Sequence, residues 1–434
     1  MKSNEPIVVE IVSTSDDGCG YSADKKYAVY GALAGETVYA TPITRKRKRL
    51  YLRTVDVVNP ASGRVDPECR VAGYCGGCSF QHLAHSDQLA SKTLQLERAF
   101  FPLVPETWLP PVHASTYHYR SKARIGVKFV EKKNRVLVGF REKLKPYITD
   151  TPSCPVLVEP VSFLIEPLAQ LIGGLSAPSR IPQIELASGD DEIALVFRHL
   201  EPLTVKDLSL FIEFGRQHHV QMFLQPGGVD TTYKIYPDDG ELLLSYRLPD
   251  HDLDFRFSPQ DFTQVNLAVN RKMVDLAIEL LDLQPTDHLL DAFCGIGNFS
   301  LAISRFCDQV VGLELSAASI DRARDNARIN RVGNVLFQVA DLQADIPEIK
   351  GLQDVNKVLL DPPRSGAEQL VKVLASSNVS RVVYVSCNPK TLARDVKILV
   401  QQGFVLRSAG IIDMFPHTTH IESIALLVRQ DRPG

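Results

Sequence analysis

The sequence predicts a multidomain chain: a small N-terminal β-barrel, an α+β middle region and a C-terminal doubly wound α/β domain. Three observations predict this order. Residues 6–58 hold short β-rich runs (PIVVEIV, KYAVYG, ETVYATPI, LYLRTVDVV) separated by turn signals such as DDGCG and ALAGE. Residues 117–255 mix β-type runs with one helical stretch near 203–217. From about residue 260 helical and strand patterns alternate, as in VNRKMVDLAIELL, HLLDAF, SIDRARDNARIN and VLFQVA. Alternation of this kind implies a parallel sheet covered on both faces. The boundaries fall at 1–58, 59–255 and 256–434.

The bulk numbers fit that division. A chain of 434 residues holds two to four domains and buries its cores without covalent staples. It is 44% hydrophobic and 23% charged, the composition of a soluble globular protein. No basic head followed by an apolar run opens the chain, and no apolar run approaches ~18 residues. Neither a signal peptide nor a membrane span is therefore expected, and a cytoplasmic location follows. Eight cysteines are too few for a disulfide scaffold in such a compartment.

In the first unit, about five short strands in about fifty residues fit an oligonucleotide-binding type of barrel, with a generic β module as the plainer reading. Its run TRKRKRL holds five consecutive basic residues at 45–49. The next stretch, ECRVAGYCGGCSFQHL, spaces Cys69, Cys75 and Cys78 as C-x5-C-x2-C. A disulfide knot, a zinc site, an iron–sulfur site or a catalytic centre would each use such a cluster, and the compartment weakens the first. SDQLASKTLQLERAFF then reads as a helix over 86–101 with Ser86 as N-cap, ended by WLPP.

The net charge of −3 does not point to nucleic acid, but its distribution does. Between Arg120 and Lys145 there are ten Lys/Arg and two acids, with Tyr117, Tyr119 and Phe129 interleaved or adjacent. Phosphate contacts are favoured over a merely solvated strand face. ARIGVKFV, RVLVGF, EIALVFRH, VQMFLQP and LDFRFS supply the strands of this middle region.

Ligands of a doubly wound sheet bind beyond the carboxyl ends of its strands, so the loops after HLLDAF, GLEL, KVLLD and RVVYVS carry the chemistry. HLLDAFCGIGNFSL is a strand, a glycine-rich turn and a helix start; Gly295 and Gly297 let backbone approach a ligand. Glu314 ends the next strand, 23 residues after Asp291, where an acid holds ribose hydroxyls. NAD and S-adenosylmethionine both fit. The dinucleotide pattern G-x-G-x-x-G has Ser300 at its last position, which favours the methyl donor. VLLDPPRSG places Asp361 at a strand end before two prolines that stiffen the loop. VYVSCNPKTLARD puts Cys387 at the next strand end, just ahead of a helix N-terminus that should lower its thiol pKa.

A thiolate has a specific use here. Carbon 5 of a pyrimidine is too weak a nucleophile to attack a sulfonium methyl; thiolate addition at carbon 6 makes it an enolate carbon that can. A base must then remove the carbon 5 proton. DMFPHTTHIESIALL offers His417, His420 and Glu422, with Glu422 at a strand start. A metal reading of the two histidines lacks a third ligand nearby.

Together DAFCGIGNFSL, VLLDPPRSG, VYVSCNPKTLARD, DMFPHTTHIES and FSPQDFTQVN resemble the bacterial RNA uridine-5-methyltransferases. The unit at 6–58 resembles the TRAM RNA-binding domain. CRVAGYCGGCSFQH with the later TPSCP resembles the iron–sulfur motif of the ribosomal members. The resemblance spans nearly the whole chain. It implies methyl transfer from S-adenosylmethionine to carbon 5 of a uridine of 23S ribosomal RNA, position 1939, through a Cys–uracil adduct. It implies Cys387 as nucleophile and Glu422 as base. Cofactor contacts are implied at Gln264, Phe293, Asn298, Glu314, Asp341 and Asp361. Asp341 stands where relatives carry Asn, and DPPR replaces DPAR. Cys69, Cys75, Cys78 and Cys154 are implied ligands of a 4Fe-4S cluster with a structural role. Four thiolates also suit zinc, but a fourth ligand 76 residues from the third is less typical of zinc ribbons. Cys19, Cys294 and Cys307 match no functional position, and Cys294 is expected to line the cofactor pocket. A monomer is expected, with no membrane or DNA partner. The rivals are the same chemistry on another 23S uridine or on transfer RNA, an iron–sulfur RNA-binding protein without catalysis, and an NAD oxidoreductase.

Overall fold

The computed structural model describes residues 5–344 and 352–430 of the chain. The first unit is a six-stranded sheet in the order Ile7–Glu10, Thr37–Lys46, Arg49–Val57, Tyr27–Tyr30, Cys19–Tyr21, Ser13–Thr14. Its two edge strands are neighbours in the chain, so the sheet curls around Val9, Ile11, Val29, Val38 and Leu52. The basic run 45–49 forms the tip of the hairpin between Thr37–Lys46 and Arg49–Val57, where Arg47 takes a left-handed φ of 54°. Buried Glu36 accepts from the Arg64 guanidinium at 2.5 and 2.7 Å and ties this sheet to the cysteine segment.

The helix His85–Phe100 follows. It does not start from Ser86: Ala84 occupies the N-cap, and no side chain caps the helix. The reason lies outside the helix. His85 Nε2 sits 2.8 Å from Asp413 Oδ2, which holds His85 in the first turn and leaves Ser86 exposed inside it. The buried stripe is Gln88, Lys92, Leu96 and Phe100, one face at i, i+4 spacing.

The middle unit is a second six-stranded sheet, Tyr233–Tyr236, Gln221–Gln225, Ile193–Arg198, Gln183–Ser188, Lys122–Val130, Arg135–Gly139. The helices Ile165–Gly173 and Val205–His218 pack into one core with Ile125, Leu186, Phe197 and Leu224. Val205–His218 opens on a reciprocal capping box of Thr204 and Asp207.

The third sheet has eight strands: Val335–Val339, Gln309–Glu314, His288–Ala292, Lys357–Leu360, Arg381–Ser386, Glu422–Arg429, Phe404–Ile412, Thr107–Trp108. The first five are parallel. The alternating pattern predicts parallel strands throughout, but Glu422–Arg429 runs antiparallel to both neighbours. The loop 413–421 joining it to Phe404–Ile412 holds no crossover helix, and without one a strand can return only antiparallel. Two segments from earlier in the chain complete this body. Thr107–Trp108 adds the edge strand, and the hairpin of Leu244–Leu248 and Leu253–Phe257 packs Tyr246, Phe255 and Phe257 against Met273, Ala277 and Phe299. Among the described residues no helix is long and apolar enough to cross a membrane.

Candidate active site

The strand order reverses between His288–Ala292 and Lys357–Leu360, and loops diverging from that point open a crevice. The crevice is a cavity of about 640 Å³, within the size range of small-molecule sites. Gln264, Phe293, Glu314, Asp341, Asp361, Cys387 and Glu422 all line it. One expected cofactor contact does not. The Asn298 side chain points to the core hairpin: its Oδ1 accepts from the Tyr246 hydroxyl at 2.9 Å, and it pairs with Asn270 through two 3.0 Å bonds.

The glycine turn shapes one wall. Phe293, Gly295 and Gly297 have φ of 69°, 54° and 90°, so the turn needs glycine at the last two positions. The Phe293 and Cys294 amides both donate to Leu313 O, at 2.8 and 2.9 Å, which locks the turn onto the next strand. Glu314 ends that strand, where Oε1 accepts from Ser316 N at 2.9 Å. Ser300, which replaces a third glycine, donates its hydroxyl to Asp291. Asp291 is fully buried, and burial pushes its carboxyl up to about 7 despite that bond. Cys294 does not line the cavity. It is buried with Ile296, Phe299 and Phe337 in the core behind the turn. Cys19 and Cys307 are buried too, and burial raises both thiols to about 12.

Cys387 follows Arg381–Ser386 and precedes the helix Pro389–Gln401. Asn388 caps that helix by accepting from Lys390 N at 3.2 Å, and its Nδ2 donates to Arg364 O at 3.0 Å. The thiol pKa is raised, not lowered as the helix N-terminus suggested. Burial is the main cause, the Glu422 and Asp361 carboxyls add to it, and the Arg364 guanidinium opposes them. Glu422, buried at the start of its strand, is also held well above the usual carboxyl range by burial and by Asp361, again opposed by Arg364. Asp361 is raised by burial and by Asp291. Cys387, Glu422 and Asp361 are thus three acidic groups held above their usual ranges, with the Arg364 guanidinium opposing the shift of the first two.

Arg364, the R of DPPRSG, is a charged residue of this cavity that the sequence reading did not single out. It lines the cofactor-type cavity and a second, shallower groove of about 380 Å³. That groove also holds Arg98, Lys390, Asp16 and Gln95. Cys387, Arg364 and His420 line both spaces, so Cys387 stands where they meet. His420 Nδ1 lies 3.2 Å from Arg364 Nη2. His417 is not part of the site. It is buried against Gln88 and Tyr117, and burial lowers its pKa to about 4.

The four remaining cysteines meet elsewhere. Cys69, Cys75, Cys78 and Cys154 line one small enclosed cavity with Tyr119 and Phe140. None of the eight cysteines is in a disulfide. Lys143, buried beside them, donates to the carbonyls of Ala72, Cys75 and Cys78 and supplies a cation next to the thiols. Among the described residues no three His, Cys, Asp or Glu gather closely enough to hold one metal ion. Tetrahedral zinc would need sulfurs roughly 3.8 Å apart. Four thiols around one shared cavity are a donor set for a tetrahedral metal ion or for a 4Fe-4S cube.

Comparison with known proteins gives a consistent picture. Residues 84–430 match the family model described as tRNA (Uracil-5-)-methyltransferase. The chain is 46% identical over 432 residues to the 23S rRNA (uracil(1939)-C(5))-methyltransferase RlmD of Hahella chejuensis, covering 97% of each. It is 46% identical to the RlmD protein of Nitrosococcus oceani, covering 98% of this chain and 96% of that one. Among solved structures it is similar to the Pyrococcus abyssi tRNA (uracil-54, C5)-methyltransferase in complex with S-adenosyl-L-homocysteine. That match has a TM-score of 0.75 and 27% identity and covers 97% and 99% of the two chains. The chain belongs to the tRNA (uracil-5-)-methyltransferase family.

Proposed function

From that membership we propose that this chain methylates carbon 5 of uridine 1939 in 23S ribosomal RNA, with S-adenosylmethionine as donor. The observation that carries the reading is one cavity shared by Cys387, Glu422 and the acid-lined crevice of a nucleoside-type cofactor. The choice of RNA is supported by full-length identity to 23S rRNA (uracil(1939)-C(5))-methyltransferases.

S-adenosylmethionine, when bound, supplies an electrophilic methyl on a cationic sulfur. Glu314 suits its ribose hydroxyls, Asp341 its adenine amine, and Phe293 and Gln264 its flanks. The carboxyl-rich crevice is chemically suited to a cation, whose charge would favour the ionised forms of Cys387, Asp361 and Glu422. The Cys387 thiol releases its proton to water, and the thiolate sulfur bonds to carbon 6 of the uracil. The carbon 5–carbon 6 π pair moves onto the carbonyl as an enolate, and carbon 5 then takes the methyl. Glu422 removes the carbon 5 proton, the double bond re-forms, and the carbon 6–sulfur bond breaks to return the Cys387 thiolate. The proline pair after Asp361 keeps that carboxylate beside the ring.

In this reading residues 1–58 form a TRAM-type barrel, 59–255 an iron–sulfur and RNA-binding region, and 256–434 the catalytic domain. Cys69, Cys75, Cys78 and Cys154 would hold a 4Fe-4S cube, which would tie the cysteine segment to the middle unit. RNA approaches along the groove of Arg98, Lys390 and Arg364, and the uridine is turned out of its stack to reach Cys387.

Tritiated methyl from S-adenosylmethionine, offered with unmodified 23S and transfer RNA, tests the reading. Label confined to uridine 1939 is expected. Transfer RNA is the second reading, favoured by the near-complete overlap with a tRNA (uracil-54, C5)-methyltransferase structure; label there instead would replace the first.

A further inference from the structure

The loop between Ile412 and Glu422 is not held mainly by its own sheet. Three consecutive carbonyls in it are gripped from other parts of the chain. Phe415 O accepts from Lys92 Nζ at 3.0 Å. Pro416 O accepts from the Tyr119 hydroxyl at 3.1 Å. His417 O accepts from the Ser79 and Phe80 amides at 2.7 and 3.0 Å. Gln88 closes the grip. Its Oε1 accepts from His417 N at 2.9 Å, and its Nε2 donates to Phe80 O at 3.1 Å and Leu83 O at 2.7 Å. At the loop's start Asp413 is pinned by Lys92 Nζ at 2.6 Å and His85 Nε2 at 2.8 Å.

These contacts lead back to the cysteines. Ser79 directly follows Cys78, and Tyr119 packs against Cys78. They also lead forward to the chemistry, since His420 and Glu422 lie three and five residues beyond His417. Gln88 and Lys92, each 1% exposed, occupy half of a helical stripe that packing alone would fill with apolar residues. A buried amide and a buried ammonium are tolerated only when fully bonded; here Lys92 bonds Asp413 and Phe415 of this loop, and Gln88 joins His417 of the loop to Phe80 and Leu83 of the cysteine segment.

We propose that the cysteine segment and the His85–Phe100 helix form a brace that fixes Glu422 for removal of the carbon 5 proton, with Gln88, Lys92 and Tyr119 as positioning residues. This rests on the reading of Cys387 and Glu422 given above. A base works only within hydrogen-bond reach of its proton, and a nine-residue loop without its own secondary structure does not hold that distance unaided. Phe293, Glu314 and Asp341 stand on other strand ends, outside the brace's contacts. Of the braced loop, Phe415 and His420 also reach the cavity, but Glu314 and Asp341 stand apart from the loop, so the brace acts first on proton removal rather than on cofactor binding.

Tyr119→Phe and Gln88→Met, in the full-length cluster-loaded protein, separate the two. Three quantities are read: equilibrium affinity for S-adenosylmethionine, covalent trapping on 5-fluorouridine RNA, and turnover on native RNA with the quenched adduct counted. Cofactor affinity should change by less than about two-fold and trapping should persist. Turnover should fall about 10-fold or more, with adduct accumulating, because a displacement near 1 Å is enough. Wild-type turnover in both variants overturns the brace. So does a loss of cofactor affinity in step with turnover, which is general loosening. Tyr119→Phe removes one hydroxyl and keeps the test decisive even if Gln88→Met does not fold. Absence of trapping in the unmodified protein strikes the Cys387 mechanism instead.

Discussion

The cysteine segment 69–78 and the lone Cys387 place the same side chain in opposite surroundings. The quartet lines an enclosed cavity with buried Lys143 beside it. Cys387 stands between a cofactor-sized cavity and an open basic groove, with two carboxyls and one guanidinium around it. Burial raises the thiol in both settings, to about 11 at Cys78 and about 12 at Cys154. Thiol acidity in the resting protein therefore does not separate Cys387 from the quartet. Access from two sides does, together with a buried carboxyl able to take a proton.

The largest expected effects exchange the two regions. Cys387→Ala should bring methylation and trapping by 5-fluorouridine RNA below detection while metal content stays unchanged. Cys154→Ser should do the reverse, losing the visible absorbance of the anaerobically purified protein while trapping survives. About four irons and four sulfides per chain are expected before substitution; one zinc would remove the cube. Retained methylation by Cys387→Ala would end the distinction altogether. Next in size is Glu422→Gln. It should still form the adduct but turn over about 10²–10⁴-fold more slowly. Rapid turnover by that variant would remove Glu422 as the base.

What could be read in the sequence follows the same division. The glycine turn, the Asp361 loop and the Cys387 strand end are contiguous motifs, and each lies on the cavity where strand-end logic put it. Asn298 belongs to such a motif, yet its side chain is taken by Tyr246, 52 residues upstream, and no local pattern encodes that. Part of the basic tract has partners within the chain. Lys122 donates inward to Asp261 O, Lys143 bonds the cysteine loop, and Lys133 and Arg135 pair with Asp150. A count of charges cannot see those partners. Gln183–Ser188 was missed because QIELAS is short and mixed, although it is an inner strand of its sheet, paired on both sides. The antiparallel last strand depends on what the loop before it lacks, which periodicity does not report. Gln88 and Lys92 are polar on the buried face of an amphipathic helix, but their partners in the loop before Glu422 lie over 300 residues away.

Acidity gives a smaller and sharper test of the Cys387 surroundings. Burial and neighbouring carboxyls raise Cys387 and Glu422, so their ionised forms appear only as pH rises. Methylation should therefore increase with pH along an acid limb and be lost as pH falls. Arg364 favours the ionised form of both groups. Arg364→Ala should move that limb to higher pH, by about 1 unit or less, since the side chain is exposed and partly screened. The pH dependence of single-turnover methylation reads this directly. A limb that stays in place, or moves down, would assign the titration to other groups.

The smallest effect separates the two kinds of lysine in the basic tract. Lys132 is exposed on the turn Glu131–Lys133, whereas Lys143 is buried under the cysteine loop. A phosphate contact at Lys132 would release one counterion, so Lys132→Ala should reduce the slope of log affinity against log salt by about 1. Metal content and turnover at saturating RNA should not change. Lys143→Met should leave the salt slope alone and instead lower metal retention, because its three carbonyl partners belong to the cysteine loop. If Lys132→Ala leaves the slope unchanged, the exposed part of the tract is a solvated strand face, and RNA is held by the groove of Arg98, Lys390 and Arg364 that opens onto the reacting cysteine.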